Sequence, residues 1–206
     1  MCGSNFLGRF GGNRMQRLNQ INQNIFTISD FFTQESLESI TDVYSNREPD
    51  EFLKFIESTD LVEQFTNNQD KPQNNWFSRE KFAILDHKDP IFKDATSTIN
   101  KHLGGYADSM SLWNDHPYFE NPIHYDCQEC EHIIIVYISG SKLNGTTVWD
   151  EEQRHFIQIT PEPNKALVLK NSGNILHGMS YFVPEGTIRK SVYINWTSTK
   201  KRLVFE

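Results

Sequence analysis

The stretch His132-Ile-Ile-Ile-Val-Tyr-Ile-Ser139 decides how the chain folds. It is β-branched and aromatic almost throughout, too short to cross a bilayer, and reads as a strand. From Tyr106 onward the chain keeps this pattern: short runs rich in Val, Ile, Tyr, Trp and Thr, separated by Gly, Asn, Pro and Asp. The runs predict strands at about 109–113, 123–126, 132–139, 146–149, 155–159, 166–170, 175–180 and 189–196. Short strands at intervals of roughly 8–12 residues predict a sandwich or jelly roll.

The front half reads as helical. Phe31, Phe32, Leu37, Ile40 and Tyr44 follow Ser29-Asp30 at helical spacing. A second helix is expected from Pro49-Asp50, carrying Phe52, Leu53, Phe55 and Ile56. A third has Asp89 as its cap, Pro90 in the first turn, an apolar face of Ile91, Ala95, Ile99 and Leu103, and Gly104-Gly105 as its stop. The expected fold is therefore mainly β with N-terminal helices packed on one sheet. Residues 1–24, with Gly3, Gly8, Gly11 and Gly12, read as a mobile tail. Residues 25–206 read as one domain, with helical support over about 25–105 and a β core over about 106–200.

Composition narrows the partners. Twenty Lys and Arg against 27 Asp and Glu leave a net charge of −7, the wrong sign for holding nucleic acid by its phosphates. The aromatic share, 13%, is too high for a disordered chain. Three cysteines, Cys2, Cys127 and Cys130, build no disulfide framework, and residues 1–20 hold no apolar run of the signal-peptide kind. A cytoplasmic protein with no membrane association is expected.

In an extended segment, alternate side chains share a face, so His124 and Asp126 of His124-Tyr125-Asp126 project together. An imidazole and a carboxylate so placed can ligate one metal ion. His177, on a late strand, is the candidate third ligand. Two His and one carboxylate on one face leave open positions, the arrangement of non-haem Fe(II) oxygen chemistry. A lone His-x-Asp carries little weight, and the chain holds a second one, His87-Lys88-Asp89, where Asp89 is better read as a helix cap. Twelve residues after His177, Arg189 and Ser191 share a strand face and suit a carboxylate held bidentately.

From about Leu112 to Trp196 the chain resembles the iron(II)/2-oxoglutarate-dependent dioxygenases, in their prolyl-4-hydroxylase-like branch. The resemblance rests on His124-x-Asp126, Ile133 to Ser139, Gly145-Thr-Thr147-Val-Trp149, Pro161 to Leu169, His177-Gly178 and Gly186-Thr-Ile-Arg189-Lys-Ser191. It implies a double-stranded β-helix in which His124, Asp126 and His177 bind iron. It also implies that 2-oxoglutarate and O2 are cosubstrates, with ascorbate available as reductant. Arg189 would pair with the distal carboxylate of 2-oxoglutarate, with Tyr137 and Ser191 as further hydrogen-bonding groups. Trp113 or Tyr118 would line the cosubstrate pocket. The implied reaction couples decarboxylation of 2-oxoglutarate, to succinate and CO2, with hydroxylation of a prolyl residue in a protein or peptide. Two departures stand out: a long interval between His177 and Arg189, and Asn164-Lys165 in place of the usual turn glycine.

Three other readings compete. A catalytically silent jelly-roll binding module would keep the shell without turnover. An oxygenase of small molecules or nucleobases would share the chemistry, although in the nucleobase-demethylating relatives a second arginine lies where this chain has Asn195. A cupin-like isomerase would usually supply a second His and a Glu where Asp126 stands. Cys127, Cys130 and His132 could form part of a zinc site but lack a fourth ligand near them in the chain. His102, His116, His132 and His155 read as packed or exposed without a role, Lys200-Lys201-Arg202 as a solvated end, and Asp70 to Lys81 as a lid.

Overall fold

The computed structural model describes residues 16–46, 79–126, 132–149, 156–179 and 181–198. In chain order its elements are β1 (Arg17–Gln20), β2 (Ile25–Ser29), α1 (Gln34–Asn46), β3 (Arg79–Leu85), α2 (Pro90–Leu103), β4 (Tyr106–Asp115), β5 (His132–Ser139), β6 (Thr146–Trp149), β7 (Phe156–Ile159), β8 (Lys165–Lys170), β9 (His177–Met179) and β10 (Arg189–Thr197). Seven strands form one antiparallel sheet in the order β1-β2-β8-β5-β10-β4-β3, and three form a smaller one, β7-β6-β9. The smaller sheet is extended by a single bridge between His124 and His177. The result is a mainly β, jelly-roll architecture.

Strand β5 lies in the middle of the large sheet, and both of its faces are covered. Ile134 and Val136 join a core on the outer face, where α1 and α2 contribute Ile40, Tyr44, Ile91, Phe92, Ala95 and Ile99. Ile133, Ile135 and Tyr137 point the other way, into a core between the sheets with Val148, Ile159 and Leu167. A strand buried on both sides has no need of polar alternation, which is why residues 133–138 read as one apolar run.

Helix α2 has the predicted boundaries for the predicted reasons. The Asp89 carboxylate accepts the Ile91 N–H at 2.8 Å. Gly104 stands at φ 73, its N–H reaching the carbonyls of Ile99 and Asn100. Helix α1 starts later than the periodicity suggested. Ser29 ends a strand, Asp30 turns the chain at φ 53, and Thr33 caps the helix by accepting the Ser36 N–H at 3.3 Å. Phe31 and Phe32 are thus buried ahead of the helix and not along it. Asn164 takes the left-handed conformation, φ 63, that the missing glycine would have supplied. Its side chain adds what glycine could not, accepting from Phe32 N–H and donating to Phe32 O, both at 2.8 Å.

Several expectations change. Arg17–Gln20 is the edge strand of the large sheet, so residues 17–20 of the expected mobile tail are ordered; residues 1–15 lie outside the described residues. Strands β2 and β3 lengthen the large sheet where helix and lid were expected. The expected strand 123–126 is reduced to the one bridge at His124. The second helix, residues 70–78 of the expected lid, His155, all three cysteines and Lys200-Lys201-Arg202 lie outside the described residues. Among the described residues no helix is long and apolar enough to cross a membrane.

Candidate metal centre and its pocket

His124 and His177 face each other across the bridge: His124 N–H donates to His177 O at 2.8 Å, and His177 N–H to His124 O at 3.0 Å. Directly opposed residues of an antiparallel pair share a face. The two rings accordingly lie side by side, centroids 4.6 Å apart. Asp126, two residues on, comes to the same side. Its oxygens lie 3.7 Å from His124 Nε2 and 3.7 Å from His177 Nε2. One ligand atom from each residue falls within 4.8 Å of the others. Gly178 permits this approach, because a Cβ there would stand 2.8 Å from Ile123 Cα and 2.9 Å from Pro122 O.

The rings are set in one tautomer. His124 Nδ1 lies 2.7 Å from Pro122 O and His177 Nδ1 lies 2.9 Å from Ile175 O. A carbonyl only accepts, so each Nδ1 carries the proton and each Nε2 presents its lone pair inward, as metal-binding imidazoles do. Burial, opposed by the Asp126 charge, pulls His177 below the ordinary histidine value, towards the neutral form that ligates. The Asp126 carboxylate, 3.7 Å away, pushes His124 up. Burial would raise Asp126, but the neighbouring His124 and His177 rings and the Ser172 hydroxyl together hold it below the usual carboxylate value. Its Oδ2 is buried without a hydrogen-bond partner. A buried carboxylate oxygen left over in this way is costly unless a cation meets it. The donor set therefore fits a divalent metal ion.

These three residues line a cavity of about 150 Å³ that runs between the sheets to a second charged cluster. Register places Arg79 of β3, Asp115 of β4 and Arg189 of β10 in one row across three adjacent strands. Arg189 Nη1 donates to Asp115 Oδ2 at 2.8 Å, and Arg79 Nε lies 3.0 Å from Asp115 Oδ1 in an ion pair without hydrogen-bond alignment. Arg189 also reaches Met179 Sδ at 3.2 Å and Thr146 Oγ1 at 3.4 Å, while its Nε is buried with no partner. Burial lowers Arg79 from the usual arginine value; Asp115 opposes this and Arg189 adds to it. Two guanidiniums share one carboxylate, leaving one positive charge unmatched beside the cavity among the described residues.

Of the six site residues read from the sequence, His124, Asp126, His177 and Arg189 line this cavity, and Tyr137 and Ser191 do not. Tyr137 is fully buried and donates its hydroxyl to Thr146 Oγ1 at 2.7 Å, so Thr146 takes the place on the wall. Ser191 sits in the next row, paired with both Tyr137 and Trp113. Trp113 lines the cavity; Tyr118 is half exposed and packs against Phe182, with ring centroids 6.1 Å apart. Arg79, Asp115 and Thr146 were not singled out by the sequence reading. Thr146 lay inside a quoted motif, and Asp115 lies two residues beyond Trp113 on the same strand face. The second His-x-Asp does not converge: His87 contacts exposed Asp86 at 3.2 Å, and Asp89 caps α2. His132 accepts the Asn171 N–H and packs on Trp196, and His102 meets Gln16, as structural side chains do.

No protein-family model matches the sequence, and no curated protein does. Solved structures do match in fold. A 2OG-Fe(II) oxygenase family oxidoreductase from Burkholderia pseudomallei aligns with TM-score 0.59 and 10% identity over 85% of each chain. A prolyl hydroxylase from Trichoplax adhaerens, in complex with a hypoxia inducible factor oxygen degradation domain peptide, aligns with TM-score 0.57 and 10% identity over 86% of this chain and 84% of its own. HygX from Streptomyces hygroscopicus, with nickel, 2-oxoglutarate and hygromycin B bound, aligns with TM-score 0.55 and 9% identity over 86% and 84%. The chain shares the fold of 2OG-Fe(II) oxygenases.

Proposed function

We propose that the protein is an iron(II)- and 2-oxoglutarate-dependent dioxygenase that hydroxylates a prolyl residue of a protein or peptide. The observation that carries this reading is a single cavity with two opposite ends. At one end, two imidazoles of fixed tautomer and a carboxylate with an unpartnered oxygen converge. At the other, a buried arginine pair retains one unmatched positive charge. A metal ion suits the first and a carboxylate the second.

His124, Asp126 and His177 would hold iron(II), and Arg189 would take the distal carboxylate of 2-oxoglutarate. When bound, the two would supply O2 activation coupled to decarboxylation, giving succinate and CO2. The remaining work falls to the chain. Pro122 O and Ile175 O keep both imidazoles turned inward, so no rotation is needed when the metal arrives. Asp126 stays ionised and supplies the one negative ligand. Trp113 and Ile135 wall the cavity and restrict water around the reacting groups. Thr146, held by Tyr137, presents a hydroxyl beside Arg189.

The peptide substrate is favoured by the similar fold of a prolyl hydroxylase solved with a peptide, while HygX, with hygromycin B bound, keeps a small-molecule substrate in view. A cytoplasmic setting, where ascorbate is at hand as reductant, belongs to the same reading. The decisive assay incubates the protein with iron(II), ascorbate, 2-oxoglutarate and a panel of proline-containing peptides. A 16 Da gain on a peptide, matched by succinate, is expected. Gain on an aminoglycoside or a nucleobase instead would redirect the substrate, and no substrate-coupled succinate with any class would favour the silent module.

A further inference from the structure

The arginine that the sequence reading passed over occupies a position as deliberate as Arg189's. Arg79 reaches in from edge strand β3, directly opposite Asp115, and its guanidinium lies between two aromatic rings, 4.3 Å from the centre of Trp113 and 5.1 Å from that of Phe119. The side chain is 14% exposed and lines the cavity. Asp115, fully buried, reaches Arg79 with one carboxylate oxygen and Arg189 with the other. It therefore orients both cations and neutralises only one.

A structural ion pair needs one arginine for one aspartate. A second, buried with it and facing a cavity, is costly unless an anion completes the group. Two features of the cluster call for an anion: the surplus charge itself and Arg189 Nε, buried with no partner. A carboxylate set between the guanidiniums would give each cation two anionic neighbours and close a group of four with no net charge.

We propose that Arg79 is a second anchor, beside Arg189, for the distal carboxylate of the cosubstrate, with Asp115 as the positioning residue that holds the two guanidiniums apart. This deepens the oxygenase reading and rests on it. It makes the site selective for 2-oxo acids bearing a second carboxylate, because a monoacid leaves the surplus charge unmatched.

The test titrates the full chain, loaded with Mn(II), with 2-oxoglutarate and with 2-oxopentanoate, which carries a methyl group where the distal carboxylate would be. Calorimetry reads the dissociation constants. Wild-type protein should prefer 2-oxoglutarate, and Arg79→Met should weaken 2-oxoglutarate tenfold or more while leaving 2-oxopentanoate unchanged. Arg79→Gln, which keeps hydrogen-bond donors without charge, should lose selectivity likewise, and it decides the matter if the methionine variant does not fold. Unchanged affinity for 2-oxoglutarate in a folded variant would overturn the proposal. So would an equal loss on both acids, which would put Arg79 at the end the two acids share. Wild-type protein that binds neither acid would instead overturn the oxygenase reading, and the anchor with it.

Discussion

Replacing Asp126 by alanine tests the metal centre without relying on turnover. A ligand that binds the folded state at a hundredfold its dissociation constant adds about 2.7 kcal/mol of stability. For a chain of this size, 1 kcal/mol moves the melting temperature by about 2–4 °C. Wild-type protein with saturating Mn(II), an air-stable stand-in for iron(II), should therefore melt roughly 5–11 °C higher than the metal-free form. Asp126 is the one anionic donor of the three, its side chain only 12% exposed and its Oδ2 unpartnered. Without it two neutral imidazoles remain, and the metal-induced shift should vanish at the same metal concentration. Metal-free Asp126→Ala should differ from metal-free wild type by less than that shift, since the change removes a poorly satisfied buried charge along with its contacts. His87→Ala, at the exposed pair with Asp86, should keep the full shift. Scanning calorimetry under nitrogen reads all four values. An equal Mn(II) shift in wild type and Asp126→Ala would refute the assignment.

Arg189→Ala should raise the KM for 2-oxoglutarate ten- to a hundredfold, the loss of a charge-assisted pair worth ~1.5–3 kcal/mol. Asp115 keeps Arg79 as its partner, so the variant should fold, and an unchanged KM would place the carboxylate elsewhere. Tyr44→Phe should cost about 1–3 kcal/mol in urea unfolding, because the buried hydroxyl contacts Ser191 O at 2.9 Å and Trp113 O at 3.1 Å, tying α1 to strands β10 and β4. A cost below ~0.5 kcal/mol would show that the hydroxyl is dispensable. Gly178→Ala should abolish the Mn(II) shift while the protein still folds, since its Cβ would collide with backbone at Ile123 and Pro122 and displace His124. A retained shift would show that the segment at 122–124 relaxes freely.

What the sequence revealed depended on how local the signal was. Helix α2 was legible to the residue, because a cap, a proline and a stop glycine act within a few positions of themselves. Strands β5, β6 and β10 were legible because residues buried on one or both faces leave a pattern. β1, with every side chain exposed, buries no apolar stripe and left no such trace. The His-Asp-His cluster was legible in part: His124 and Asp126 declare themselves by spacing, whereas His177 joins them through a backbone bridge that spacing does not encode. Arg79 and Asp115 were illegible for the same reason. Their meeting is a matter of register between β3 and β4, and Arg79 stands in the stretch Asp70 to Lys81, which Pro72, Asn74 and Asn75 make resemble a loop. Tyr137 lies in the core between the sheets, where its hydroxyl meets Thr146, a contact across strands that its place in the sequence does not encode.

The charges around the cavity constrain what can fill it. With both imidazoles neutral, the triad carries one negative charge, and a divalent ion bound there leaves one positive charge. Arg79, Asp115 and Arg189 leave another at the far end. On the proposed reading, a dicarboxylate with one end at the metal and the other at the arginines would balance both charges, as 2-oxoglutarate would at pH 7. Among the described residues, an unpartnered carboxylate oxygen and a surplus cation border one small cavity, a costly arrangement for folding alone. On the proposed reading, occupancy would relieve both, so metal and cosubstrate would contribute to stability through the groups that bind them, and this would account for three buried charges kept in a single row of one sheet.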